Sequence, residues 1–572
     1  CTKVTCEPKT GCAYSDLAKG IKCADGDPCT TDGNCQAGKC TGVTPKLFNK
    51  MYEKVAGSDS GVFNAAQPLD NGGQLAVGKT ANGSGGMNDP HGSVSHIGAD
   101  QTIVWSKSLK NKTLIDKSVA NSSTLNDVVP IGGGQYLAVG GARRQQAGAS
   151  GGTGDYKHVY LVMKIDPKGQ GTLTNVQANW SNCYSWDCAL KSAVLLPKAS
   201  KWAKSAEMIA AIGSATLSQN GSDKGSRLVL FSPAAQGAPT PVTVWLKDVH
   251  LNDIAVAPNS GELYVAGVGP AKNNGSQLTC ASRSSVIKRL DQLNNGKATW
   301  STFEHDVAGT TQGFDSYAPR GIVSLQALAD GSLVALNVAH SKVKECKSLS
   351  LSVTSALKVN TNLKLSWQTT FSDLNHGISG AGIAATSDNG YVLLLNKGKK
   401  TNGGSSTEPD TVQVIRLDAN GIENWTKEHS SGPNNGLLGS SLRATKDNGW
   451  LVAGLSKPPD TFGSGCGGSN PSDAGSSSGQ PDTTGGCGTT YPKKNPWLLR
   501  LNELGFHNCE TANKCHVTPK NCYDKNPCTF DECRPKHGDC SHPTKPDKSQ
   551  CEYVGGAAQM YKQCVNKGQT CS

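Results

Sequence analysis

The chain has no apolar run near the about 18 consecutive residues that a membrane helix requires, and no charged-then-apolar leader precedes Cys1. It reads as a mature chain without a membrane span. Aromatic residues make up 6% of the 572 and methionine contributes 5, whereas glycine contributes 67. That balance argues against a helical protein or a large α/β enzyme and for many short strands joined by turns. Ser-His-Asp spacing, a GxSxG elbow, an HExxH helix and a phosphate loop are all missing, so no local motif announces catalysis. The net charge of +11 is not gathered into basic blocks interleaved with aromatics, which argues against a nucleic-acid partner. Envelope polysaccharide or a surface protein fits such a surface better.

Cysteine, by contrast, is plentiful. Twenty-two cysteines, most in two terminal clusters, point to disulfides and an oxidising compartment, hence a secreted or cell-surface protein. Cys6, Cys12, Cys23, Cys29, Cys35 and Cys40 line up with Cys509, Cys515, Cys522, Cys528, Cys533 and Cys540 as two six-cysteine modules of one type. Segments this short need covalent staples, each worth about 2–4 kcal/mol. Internal pairing of both modules leaves Cys1, Cys551, Cys564 and Cys571. Two of the three tail cysteines can pair, and the third then needs Cys1, in the same chain or a neighbouring one. A lipid-modified Cys1 is the alternative. Cys183 with Cys188, Cys280 with Cys346, and Cys466 with Cys487 read as structural staples; the last pair brackets a Gly/Ser/Pro-rich insert.

Between residues 44 and 505 a repeat runs through the chain, clearest at Thr411 to Gly454. Two β-branched runs flank the turn Asp418-Ala-Asn-Gly421, followed by Trp425-x-Lys427, a small-residue run and the turn Asp447-Asn-Gly449. Turns of the second kind recur at Asp70, Gly132, Asn259, Asp330 and Asp388, and an apolar-basic-apolar strand recurs at Leu161, Val286, Val414 and Trp497. Tryptophans at 105, 180, 245, 300, 367 and 425 form a column expected on the outer strands, packed between blades. Four-stranded repeats of roughly 55–75 residues are the mark of a β-propeller. The sequence predicts an all-β, seven-bladed propeller, with blade three the weakest match for want of a glycine turn. The last repeat lacks its Trp-x-Lys strand, and Phe48-Asn-Lys50 supplies it, so an N-terminal strand closes the ring. The organisation is then a cysteine-rich module at 1–43, the propeller at 44–505, and a second module with a tail at 506–572. Long connections fall on one face; both module attachments fall on the other, where the two modules are expected side by side.

Two candidate sites emerge. Asp25, Asp27 and Asp32, with Asp524, Asn526 and Asp531, offer oxygen ligands at alternate positions for calcium, although Asx-turns account for the same residues and the glycine and glutamate of an EF-hand are missing. His250, His305, His376 and His429 each follow a fourth strand, at the loop-bearing end of the channel.

Segments such as RLDANGIENWTKE with TKDNGWLVAG resemble secreted bacterial β-propeller repeats. DGDPCTTDGNC and DKNPCTFDEC resemble the cysteine-rich DGNPCT-x-D-x-C modules of surface proteins of myxobacteria and related groups. The resemblance implies an extracellular bacterial protein and carries no catalytic residues. Three functions are expected in order: a non-enzymatic structural or adhesive surface protein that self-assembles through its terminal modules into a filament or layer; a monomeric glycan- or protein-binding module; and a propeller hydrolase or lyase with its site at the channel mouth.

Overall fold

A computed structural model describes residues 47–505 except the connections 82–89, 111–119, 145–156, 169–170, 178–187, 199, 204–206, 217–223, 234–240, 272–282, 295, 306–316, 342–351, 372–375, 401–406, 431–435 and 458–493, and, outside that range, short strands within 2–41 and 532–571. Two compact units are distinguished: Lys50–Ala444 with Leu451–Leu498, and Cys1–Asn49 with Thr445–Trp450 and Leu499–Ser572.

The described residues form strands and turns and no helix. Seven four-stranded sheets follow one another, in six of which spatial order equals chain order; blade six, for example, is His376–Ala385, Tyr391–Lys400, Thr407–Leu417 and Glu423–His429. The seventh takes Gly436–Ala444, Trp450–Lys457, Asn495–Leu501 and then Phe48–Met51 from the N-terminal side. The seven first strands are Gly61–Pro68, Ala120–Pro130, Ala189–Leu196, His250–Val256, Tyr317–Ala327, His376–Ala385 and Gly436–Ala444. Each touches the first strands before and after it, and the last touches the first. First strands are therefore innermost, and the ring is a closed seven-bladed β-propeller, as the repeats predict.

Both faces of the second strands are buried between neighbouring blades, which is why they read as nearly continuous apolar runs. Alternate residues point to opposite faces. In Tyr136–Arg144, Ala138 and Ala142 pack with Leu75 and Val94 of blade one, while Leu137 and Val139 pack with Ile209 and Val229 of blade three. Blade three has all four strands; where a glycine turn is missing, Ser200 and Ala203 close successive turns and the Ser200 hydroxyl donates to Gly261 O at 2.8 Å.

The Trp-x-Lys motif has a specific task. Trp105 donates its indole N–H to Pro167 O at 3.2 Å, and Trp367 donates to Ala419 O at 3.2 Å, in each case to the turn between strands three and four of the next blade. Two residues on, Lys107 and Thr369 donate to Gly171 O and Gly421 O. A methyl at Gly421 would stand 2.6 Å from the Trp367 ring, and Gly421 has φ +81°, a region open to glycine. Gly421→Ala is expected to cost about 1–3 kcal/mol through backbone strain and loss of this seat, read as a lowered denaturation midpoint; an unchanged midpoint would mean the turn and the ring do not bear on one another. Lys50 donates in the same way to Gln101 O of blade one at 2.9 Å, so the closing strand uses the same device as the internal blades.

The tryptophan column is less regular than expected. The fourth strand of blade two is Thr172–Gln177, so Trp180 falls beyond it, outside the described residues, and exposed Thr174 stands opposite Lys164, where Trp425 stands opposite Arg416 in blade six. Trp245 lies opposite Arg227 in mid-strand and packs against Cys188 and Ala215.

The basic residue of the third strand also has a partner. Arg416 pairs with Asp388, and Arg500 with Asp447 at 3.1 Å, each the aspartate of its own blade's first turn. The Thr386 hydroxyl, joined by Arg416, holds the Asp388 carboxyl below the ordinary carboxylate value; at Asp447 burial opposes, but Thr445 and Arg500 outweigh it. A carboxyl lowered in the fold gives stability that is complete above its unfolded pKa and is lost as pH falls through the folded one. The paired variant Asp388→Asn with Asp447→Asn is expected to show a shallower loss of stability below about pH 4 than the parent. Parallel acid titrations of unfolding would contradict this assignment.

Candidate functional site

Every first strand of blades one to six carries a β-bulge, at Asn64, Asn126, Lys191, Asn252, Val323 and Ala381. A bulge puts two residues opposite one and re-aims side chains. Here it turns polar side chains sideways along the channel wall into the next blade. Asn64 donates to Leu125 O at 2.8 Å, Asn126 to Leu190 O at 2.7 Å and Asn252 to Ile322 O at 3.0 Å, always the carbonyl just before the neighbour's bulge. Lys191 reaches Asn252 Oδ1 at 3.1 Å.

The residue after the bulge makes a second set of links. Asp127 accepts from Ala193 N at 3.1 Å, Asp253 from Leu325 N at 2.7 Å and Ser324 from Ile383 N at 3.2 Å. The aspartates also accept from their own following amides, Val128 at 2.8 Å and Ile254 at 2.9 Å. The Ser192 hydroxyl sits between them, 2.7 Å from Asp253 Oδ1 and 3.3 Å from Asp127 Oδ2. Arg443, from blade seven, crosses to Asp127 Oδ1 at 2.8 Å. Its side chain is 38% exposed, whereas that of Asp127 is 6% exposed; the guanidinium faces the channel and the carboxylate lies in the wall.

Above this cluster lies a cavity of about 290 Å³ that runs toward the short-turn end, lined by Gln67, Ser192, Asp253, Ser324, Gln326 and Arg443 among others. Burial pushes the Asp253 carboxyl above its ordinary value, against the pull of the Ser192 hydroxyl, the Leu325 and Ile254 amides and Arg443. The Asp127 carboxylate and the burial of the guanidinium compete at Arg443, and the carboxylate prevails, keeping it charged. Both aspartates have each oxygen occupied by an amide, a hydroxyl or the guanidinium. That arrangement couples blades directly, and it leaves little carboxylate free to coordinate an ion or abstract a proton.

The residues singled out from sequence lie elsewhere. Asp25, Asp27, Asp32, Asp524, Asn526 and Asp531 fall outside the described residues, as do Cys1, Cys183, Cys280, Cys346, Cys466 and Cys487. So does the placement of the two modules. Cys188 is buried and disulfide-bonded. The four histidines do not share one site: His250 and His376 open innermost strands, whereas His305 and His429 end outermost ones. Among the described residues no three His, Cys, Asp or Glu side chains lie close enough to hold a metal ion. The channel cluster did leave a trace in the sequence: Leu125-Asn126-Asp127-Val128 and Leu251-Asn252-Asp253-Ile254 repeat at the same blade position.

No protein-family model and no curated protein matches the chain. Solved structures resemble it at the level of the fold. The polysaccharide lyase Uly1 is 11% identical with a TM-score of 0.40, over 86% of this chain and 100% of that one. A chimera of apocarotenoid oxygenase and RPE65 is 11% identical with a TM-score of 0.36, over 70% and 87%. A protein of unknown function from Dyadobacter fermentans is 11% identical with a TM-score of 0.36, over 66% and 94%. Likeness this remote carries no inference about chemistry.

Proposed function

We propose that this chain is a non-enzymatic extracellular protein that works by contact, as the repeating unit of a surface filament or layer or as an adhesin, with its terminal cysteine-rich modules joining copies. The observation that carries this reading is the occupation of the channel's polar groups: the aspartates and asparagines that a channel enzyme would turn toward substrate are bonded from blade to blade. A ring braced in this way is a scaffold, and recognition falls to its faces and termini. The cysteine content supports an oxidising compartment, the likeness of the terminal motifs to myxobacterial surface modules supports a cell-surface location, and the net charge of +11 suits envelope polysaccharide or an acidic surface protein. Calcium in the aspartate-rich stretches of the modules belongs to the same proposal.

Electrophoresis of native, thiol-blocked protein with and without reductant tests it. A ladder that collapses on reduction is the expected result, and a single monomer band, with no assembly by sedimentation, would overturn it. A hydrolase or lyase is the second reading and rests on one observation, the raised Asp253 carboxyl beside Arg443 in an open cavity, since perturbed carboxyls gather at catalytic sites. Turnover of an anionic polysaccharide that Asp253→Asn abolishes without unfolding the ring would favour it.

A further inference from the structure

Backbone register brings cysteines face to face in the terminal unit. Thr2–Glu7 pairs with Gly11–Asp16 so that Cys6 stands opposite Cys12. Gly33–Gln36 pairs with Lys39–Thr41 so that Cys35 stands opposite Cys40, and Cys35 itself is buried and disulfide-bonded. In the second module Cys533 stands opposite Cys540. These are the positions that align with Cys35 and Cys40, so the two modules give the same answer separately. In the tail Cys564 stands opposite Cys571, while Cys551 stands opposite Lys562. Directly opposed residues of an antiparallel pair have Cα atoms about 4.5–5.5 Å apart, inside the window of about 4.4–6.8 Å that a disulfide spans.

We infer that these modules are stapled by cross-strand disulfides, Cys6–Cys12, Cys35–Cys40, Cys533–Cys540 and Cys564–Cys571. Each bond forms as two thiols give up two protons and two electrons to a disulfide oxidant of the exporting compartment, which leaves as a dithiol. Of the four cysteines outside the modules, Cys564 and Cys571 close on each other, and Cys551 is left for Cys1. This last step rests on the proposed self-assembly if the two belong to different chains; the cross-strand pairs do not.

Mass-spectrometric mapping of the full, thiol-blocked, unreduced chain after combined trypsin and Asp-N cleavage tests the inference, because Lys9, Lys39, Lys536 and Lys567 separate the two partners of every opposed pair, while Asp32 splits Cys35 from Cys23 and Cys29, and Asp531 splits Cys533 from Cys528. The expected result is four linked species: the Cys6 peptide with the Cys12 peptide, the Cys35 with the Cys40, the Cys533 with the Cys540, and the Cys564 with the Cys571. Each is to part on reduction. Joining of the Cys40 peptide to the Cys12 peptide, or of the Cys571 peptide to the Cys551 peptide, would overturn it. Mixed isotope-labelled and unlabelled protein separates the two claims. A labelled Cys1 peptide bonded to an unlabelled Cys551 peptide supports the polymer, while the four pairs stapled with Cys1 and Cys551 joined only within one chain would keep the connectivity and remove the covalent polymer.

Discussion

Replacing Asp253 by alanine is expected to destabilise the ring by about 3 kcal/mol. The substitution removes the acceptor for two amides and a hydroxyl, Ile254 N at 2.9 Å, Leu325 N at 2.7 Å and Ser192 Oγ at 2.7 Å, and a buried donor left without a partner costs about 1–3 kcal/mol. Water entering from the adjoining cavity satisfies part of that loss, which keeps the total below the simple sum. Ser324→Ala removes a single link of the same kind, to Ile383 N at 3.2 Å, and is expected to cost about 1 kcal/mol. Denaturant unfolding of the two variants beside the parent gives both numbers. Equal effects, or an Asp253 variant at parent stability, would show that the wall carboxylate is not a coupling element. The sign of the pH effect separates Asp253 further. Its carboxyl is raised in the fold, so its linked contribution is present below the unfolded pKa and is lost as pH rises through the folded one. This is opposite to Asp388 and Asp447, and Asp253→Asn removes that pH-dependent component together with one of the two acceptor oxygens.

Trp105→Ala is expected to cost about 3–5 kcal/mol. The side chain is 6% exposed, it packs in the cluster between blades one and two with Leu75, Leu125 and Met163, and its N–H bonds Pro167 O at 3.2 Å. Lys107 continues the same contact at Gly171 O. Loss of the indole therefore empties the seam between two blades rather than the interior of one. Trp105→Phe keeps the apolar body and loses the N–H, and is expected to cost less than half as much. Calorimetric unfolding reads the difference, and similar midpoints for the alanine variant and the parent would contradict the seam's role.

The blades were legible because each carries its own local punctuation. Asp388-Asn-Gly390 and Asp447-Asn-Gly449 require φ above zero at Asn389 and Asn448, and such turns declare themselves in sequence. Ring closure was legible because Phe48-Asn-Lys50 fills a gap in a repeat. The wall links were harder to read. Asn126 and Asn252 lie in runs that look like ordinary strand, and the extra residue of a bulge leaves no composition mark; only the twice-repeated Leu-Asn-Asp gave a trace. Arg443 had no trace at all, since its partner Asp127 is 316 positions away and only ring closure brings blade seven to blade two. Trp180, expected in the column by its interval, lies outside the described residues, and Thr174 stands opposite Lys164 at the register position that Trp425 takes opposite Arg416.

Arg443 of blade seven and Asp127 of blade two meet across the channel at 2.8 Å and brace the ring. A double-mutant cycle on Asp127→Asn and Arg443→Met, read as unfolding free energy, measures the coupling across the channel without reference to any ligand. The expected coupling is about 1–2 kcal/mol, the range for a close pair with one exposed partner, with each single variant less stable than the parent. Strict additivity of the two substitutions, with the double variant still folded, would mean that the guanidinium and the carboxylate do not support one another, and would contradict a bracing role for the channel charges.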